Sequence, residues 1–297
     1  MSDAVIVEAV RSPGGRYKRG GLAQTRSDAY GIQVVKGLLA RVPEVKPEEI
    51  DDLIVGCAFP EAEQGMILGR TLAMGAGLPI SCSGMTVNRF CSAGIQAIAD
   101  ATAKIRAGWS DIIIAGGCET MSHIPMGGTA MRPNPDWKFD GSMPNLWVNM
   151  GNTAENVAEH YNISREDMDK MGVESNRRAH EAIKAGKFKD EIIPIQAFKY
   201  KIKNGKRIRE TVTFDTDDGV RWPAKMEDMA KLKSPFRLGG NCTAANSSQM
   251  TDGAAFSMLM SAEKAKELKL KPVARLAYFA VARVAAEDMG VGPAYAI

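Results

Sequence analysis

Covalent chemistry in this chain falls most naturally to a cysteine, and one of the five, Cys91 in VNRFCSAG (87–94), has a setting that favours it. Asn88, Arg89 and Phe90 precede it, and very small residues lead into SAGIQAIADATAKIRA (92–107), which is spaced as a helix with Ile95, Ile98 and Ile105 along one face. A thiol at a helix N-terminus meets unpaired N–H groups and the positive end of the helix dipole, which lower its pKa and favour the nucleophilic thiolate. The same N–H groups can hold a developing oxyanion. A free cysteine is otherwise a small buried residue, so position alone leaves both a nucleophile and a packing residue open. Cys57, Cys82, Cys118 and Cys242 lack this setting and are expected to be structural. An odd number of cysteines without CxxC or Cys/His ligand spacing argues against a disulfide framework or a zinc site and fits a reducing cytosol. Of the three histidines, His123 follows an apolar run in a loop, and His160 and His180 fall on charged helical stretches, so none is placed as the base. Neither GxxxxGK[ST] nor a strand-placed GxGxxG occurs, and no nucleotide cofactor is implied.

The elements that must position Cys91 are legible as βα units. Short apolar runs at 4–10, 51–59 and 111–117 alternate with helical stretches at 28–41 and 92–107. That pattern predicts an α/β fold around a mostly parallel, buried sheet. From 121 to about 240 the character changes to loops such as MRPNPDW, and then to the charged helix ISREDMDKMGVESNRRAHEAIKAGKF. Ser164 and Asp167 suit a capping box at its start and Gly186 a cap at its end. Asn204-Gly205 between alternating residues predicts a hairpin, whose basic stretch 199–209 reads as a solvated face rather than a phosphate site. TDGAAFSMLMSAEKAKEL then restores strand and helix, and KPVARLAYFAVARV reads as a further strand. The 297 residues can bury a sizeable core, and a net charge of +3 spread along the chain compels no nucleic-acid partner. The N-terminus shows no targeting leader and no apolar run spans a bilayer, so a soluble cytoplasmic protein is expected.

Four stretches in order, TVNRFCSAGIQAI, DIIIAGGCETMSHIP, NMGNTAENVAE and TAANSSQMTDGAA, resemble the thiolase family, and the similarity runs from Val5 to Ile297. The resemblance implies a reversible thiolytic cleavage of 3-ketoacyl-CoA to acyl-CoA and acetyl-CoA, by a ping-pong cycle through a thioester on Cys91. Coenzyme A is then a substrate and no cofactor is needed. The implied fold is two βα halves stacked as α/β/α/β/α layers with an inserted loop domain. Here 1–120 and 241–270 would be the N-terminal half, 121–240 the loop domain over CoA, and 271–297 the start of the C-terminal half. Family members are dimers or tetramers, so a homodimer or homotetramer is implied, and the charge and hydropathy above lead us to expect no nucleic-acid or membrane partner. Matching the motifs residue by residue, Arg221 faces the adenine nucleotide, Ala244 and Ser248 line the pantetheine with Ser247 beside them, and Met150 lies by the acyl pocket. Asn149 replaces the histidine that precedes that methionine in the family. The family's Gly-His-Pro histidine, its second catalytic cysteine in Cys-x-Gly, and its Asn-Glu-Ala-Phe asparagine are not in this sequence, which leads us to expect a truncated second half. Two alternatives follow: a non-catalytic acyl-CoA-binding module, or a ketoacyl-synthase-like condensing enzyme, which the TMSHIP and NSSQMTDG words disfavour.

Overall fold

The computed structural model describes residues 3–297 except 140, 142 and 144. In chain order the elements are β1 (Ala4–Arg11), β2 (Gly15–Arg16), α1 (Ser27–Arg41), β3 (Asp52–Gly56), α2 (Leu68–Ala76), β4 (Ser83–Val87), α3 (Ala93–Arg106), β5 (Ile112–Glu119), α4 (Pro135–Phe139), α5 (Met150–His160), α6 (Arg165–Lys184), β6 (Ile195–Lys203), β7 (Lys206–Phe214), α7 (Met226–Ala230), β8 (Thr251–Ser261), α8 (Ala262–Glu267) and α9 (Gly292–Ala296). They form two compact units, one of 1–129, 188–219 and 250–277, the other of 130–187, 220–249 and 278–297.

The first unit is built on a sheet of order β1-β8-β5-β3-β4, with the short β2 paired to β8. β3 is parallel to both β4 and β5, whereas β8 runs antiparallel to both β1 and β5. The sheet is therefore mixed rather than mostly parallel. The reason is that β8 enters from a distant part of the chain and is not bound by the direction of a βα crossover. Side chains alternate along each strand and sort into two cores. Leu53, Val55, Ile112, Ile114, Phe256 and Met258 pack with Tyr30, Val34 and Leu38 of α1 and Leu68 and Leu72 of α2. Ile54, Ile113, Ala115 and Leu259 face the other way, onto Ala97, Ala101 and Ile105 of α3. The result is an α/β/α arrangement, one of the two βα halves that the sequence resemblance implies.

Only one side of α3 is covered in this unit. Ile105 is buried, but Ile95 is 53% exposed, so the three isoleucines do not share one buried face. Alanines at 97 and 101 form the contact with the sheet instead, because their small side chains let helix and strands approach closely.

The β6–β7 hairpin turns at Asn204 and Gly205, both with positive φ (51° and 71°), as a tight two-residue turn requires. It belongs to the first unit: Phe198 and Tyr200 N–H groups donate to the side chains of Thr25 and Gln24. The compact units thus divide the chain elsewhere than at residues 120 and 240. The expected strand within 271–284 does not form. Residue 274 makes one isolated bridge to Ile6, and Val273 and Tyr278 stay largely exposed, because no further strand lies beside them among the described residues.

In the second unit, α6 is capped at its start by Ser164, whose Oγ accepts from the Asp167 N–H. Asp167 does not complete a capping box: its carboxylate takes the Ser164 hydroxyl, leaving it no part in the backbone cap. Gly186 follows the helix in the left-handed conformation, φ 69°. No helix among the described residues is long and apolar enough to cross a membrane.

Candidate active site

Cys91 lies in the middle of a single 3-10 turn, Phe90–Ser92, which leads directly into α3. It is the one exposed cysteine of the five. The other thiols are pushed up by burial. Cys57 reaches about 12, with the Glu119 carboxylate adding to the effect, and Cys82 and Cys242 reach about 11, helped by Asp52 and Glu155 respectively. Cys118, buried and close to Cys57, is likewise pushed well up by burial. Because the thiolate is the reactive species, these environments leave Cys91 as the accessible thiol among the five.

The Asn-Arg-Phe triplet before it is fully engaged. Asn88 donates from Nδ2 to the Ala58 carbonyl at 3.0 Å and accepts the Phe90 N–H on Oδ1 at 2.8 Å. Arg89 donates to Gln96 Oε1 of α3 at 2.8 Å. Phe90 sits in the left-handed region with φ 45°, its ring 5.9 Å from that of Phe59. Behind Ala58 lies Glu119, which accepts the Ala58 N–H and the Gln64 side chain, each at 2.6 Å. Burial raises the Glu119 pKa against the opposing pull of these hydrogen bonds.

His123 contacts Glu63 Oε1 through Nδ1 at 3.0 Å and the Ala23 carbonyl through Nε2 at 3.2 Å, so both ring nitrogens are engaged in holding a loop. His160 ends α5 facing Asp288, and His180 stacks on Trp222.

The expected CoA-facing residues all belong to the second unit. Arg221 and Ala244 are brought together, with Arg221 Nη1 at 3.4 Å from the Ala244 carbonyl. Ala244, Ser247 and Ser248 are exposed on the loop 241–249. Two buried carboxylates that sequence reasoning missed shape this loop. Glu155 of α5 accepts the N–H groups of Asn241 and Cys242 and the Ser234 hydroxyl, each at 2.8 Å. Asp169 of α6 accepts from Asn246 Nδ2 and Arg165 Nε, both at 2.8 Å. One turn further, a Cβ on Gly172 would lie 2.9 Å from the Ala245 carbonyl, and Asn176 Oδ1 accepts the Arg221 N–H at 2.9 Å. Asp169, Gly172 and Asn176 thus form one face of α6 that positions both the loop and Arg221. Their spacing of three and four residues was the signal available.

Met150 is the first residue of α5, 40% exposed. Asn149 is that helix's N-cap, accepting the Asn152 N–H at 2.9 Å. Where the family has histidine, this chain has a residue whose side-chain oxygen is used to start the helix.

Glu155 offers a test of loop anchoring. Burial would raise its pKa, but the two backbone donors, Ser234 and nearby Arg237 outweigh that and lower it. A lowered carboxyl pKa contributes stability above the unfolded value, near 4.3 for glutamate, and the contribution disappears as pH falls through the folded value. Replacing it in Glu155→Gln leaves one N–H facing an amide NH₂, a loss of about 1–3 kcal/mol. Urea denaturation should show that difference undiminished from pH 7 to pH 6 and shrinking below about pH 4. A pH-independent difference would mean the ionised form is not what the donors hold.

Comparison with known proteins agrees with this geometry. The model of the thiolase N-terminal domain matches residues 4–263. The chain is 44% identical to a 3-ketoacyl-CoA thiolase of Bacillus subtilis, covering 100% of this chain and 75% of that protein. It is 40% identical to the peroxisomal 3-ketoacyl-CoA thiolase 5 of Arabidopsis thaliana, over 99% of this chain and 64% of the relative. Among solved structures, the Bacillus anthracis acetyl-CoA acetyltransferase superposes with a TM-score of 0.85 at 35% identity, covering 100% of this chain and 75% of that one. The match of the thiolase N-terminal domain over most of the chain, and the identity to these relatives along its whole length, show that the chain belongs to the thiolase family.

Proposed function

We propose that this chain is a thiolase polypeptide that performs acyl transfer between coenzyme A and Cys91, in the cleavage of 3-ketoacyl-CoA to acyl-CoA and acetyl-CoA. The observation that carries it is the single exposed cysteine on a tight turn opening onto α3, in a chain whose other four thiols are buried. In the acyl-forming half, Cys91 Sγ bonds to C3 of the substrate, the C2–C3 bond breaks, and its electrons pass through the enolate of acetyl-CoA to a proton at C2. In the second half the CoA thiolate attacks the thioester and Sγ leaves. Sulfur suits both steps because it is a good nucleophile and a good leaving group. The base and proton donor implied by the resemblance belong to the Gly-His-Pro and Cys-x-Gly words, so this reading gives Cys91 the covalent step and assigns no residue to proton transfer.

The helical unit is the proposed cover for CoA, with Arg221 toward the adenine nucleotide, Ala244, Ser247 and Ser248 along the pantetheine, and Met150 by the acyl group. The proposal includes no cofactor beyond CoA as substrate, a homodimer or homotetramer, and a cytoplasmic location, the last supported by bacterial relatives and by free cysteines. Peptide mass mapping after incubation with acetyl-CoA should find one acetyl group per chain, on Cys91, with release of an equal amount of CoA. An acetyl group on any other residue would overturn the reading. For the binding part, Arg221→Ala should weaken CoA by about 1.5–3 kcal/mol through loss of a charge-assisted contact. Ser248→Leu should block the pantetheine by bulk. Calorimetry giving wild-type affinity in both variants would remove these assignments.

A further inference from the structure

Phe90 is the residue before the nucleophile, and it is a bulky aromatic with φ 45°. An L-residue of this size rarely adopts that conformation and holds it only where its surroundings impose it. The imposing group is identifiable. Asn88 Oδ1 accepts the Phe90 N–H at 2.8 Å, closing an Asx turn across Arg89. The other end of the same amide is fixed, since Nδ2 donates to the Ala58 carbonyl at 3.0 Å. The Ala58 peptide is in turn gripped from its N–H by the half-buried Glu119 carboxylate at 2.6 Å. Glu119 cannot drift, because Gln64 donates to it at 2.6 Å and also accepts the Thr120 N–H at 2.5 Å. A continuous chain of hydrogen bonds therefore runs from the end of β5 through the loop after β3 to the turn that carries Cys91.

We propose that Asn88 is a positioning residue for the acyl-transfer reaction: its amide clamps the left-handed backbone of Phe90 to the Ala58 peptide and so fixes the turn from which Cys91 presents its sulfur. The inference rests on the reading of Cys91 as the acyl acceptor. One asparagine amide supplies both the acceptor for the Phe90 N–H and the donor for the Ala58 carbonyl. Aspartate keeps the acceptor that closes the turn. Alanine keeps neither.

The test uses the full chain and two readouts. The second-order rate constant for acetylation of Cys91 by acetyl-CoA should fall about 10- to 100-fold in Asn88→Ala, the scale of a misplaced reacting group, and by less than that in Asn88→Asp. Glycine adopts positive φ without strain, so a clamp that exists to hold Phe90 left-handed should become dispensable once residue 90 is glycine. Adding Asn88→Ala to Phe90→Gly should then cost little further rate. An equal loss from Asn88→Ala in both backgrounds, or no loss in either, overturns the proposal, and a merely structural asparagine would give the equal loss. Hydrogen exchange of the Phe90 amide supplies the second readout: protection should be lost in Asn88→Ala and retained in Asn88→Asp. If the wild-type chain takes no acetyl group on Cys91, the acyl-transfer reading fails, and the exchange result alone decides the clamp, with unchanged protection in Asn88→Ala overturning it.

Discussion

Limiting iodoacetamide at pH 8 is expected to label Cys91 almost exclusively, and Cys91→Ala is expected to abolish both this labelling and acetylation by acetyl-CoA. The selectivity follows from two factors that act in the same direction. The first is access, since Cys91 is exposed and the other four cysteines are buried. The second is ionisation. A thiol held at about 12, as Cys57 is, has roughly one thiolate in 10⁴ at pH 8, and those held at about 11, Cys82 and Cys242, have roughly one in 10³. Burial then slows even that fraction. Peptide mapping of the alkylated chain measures the ratio directly. Substantial early label on Cys57, Cys82 or Cys118 would mean that the sheet unit opens locally on the timescale of the reaction, and on Cys242 that the loop 241–249 does; label retained in Cys91→Ala would remove the nucleophile assignment. Selectivity should persist at higher pH until the buried thiols begin to ionise, at about pH 11, where the pattern broadens.

The turn before a helix on which Cys91 sits was legible in sequence while the hydrogen bonds that support it were not, for a physical reason. A cysteine followed by Ala93, Gly94 and a helical alanine pattern advertises a helix N-terminus, because small residues and 3.6-residue spacing are local properties. The hairpin at Asn204-Gly205 was legible for the same reason, since positive φ at two successive positions is a demand on residue type alone. Glu119, Gln64 and Glu155 act through partners 55 to 87 residues away along the chain, and nothing local marks a side chain as held by such distant partners. The direction of β8 was hidden likewise: its apolar alternation is the same whether it pairs parallel or antiparallel with β5. The strand expected within 271–284 failed on the opposite ground. Its residues have strand propensity, but a strand needs a neighbour, and beyond the bridge at Ala274 the described structure offers it none.

A pair of glycine substitutions should separate two reasons for the small residues around Cys91. Gly56 ends β3 directly beneath the first turn of α3, and a Cβ there would lie 2.3 Å from the Ala93 carbonyl carbon and 2.5 Å from both the Ala93 oxygen and the Gly94 nitrogen. All three are backbone atoms, so no side chain can rotate away and the helix start itself must move. Gly56→Ala is therefore expected to cost at least the roughly 1–3 kcal/mol typical of overpacking. The displacement falls on the residues that carry Cys91 into α3, and a shift of about 1 Å in a reacting group can cost on the order of 10²-fold in rate. Stability and acetylation should fall together. Gly94, on the helix itself, has its nearest neighbours at 3.9 Å from an added Cβ. Gly94→Ala should be tolerated and should gain up to about 1 kcal/mol from the lower backbone entropy of alanine. Urea denaturation of the two variants measures the contrast, with acetylation of Cys91 as the second reading. If Gly56→Ala unfolds at the wild-type midpoint and acetylates at the wild-type rate, close approach of α3 to the sheet is not what places the nucleophile. If instead Gly94→Ala destabilises the chain as strongly as Gly56→Ala, the first turn of α3 packs more tightly than these distances allow, and the small residues after Cys91 serve contact with the sheet on both counts.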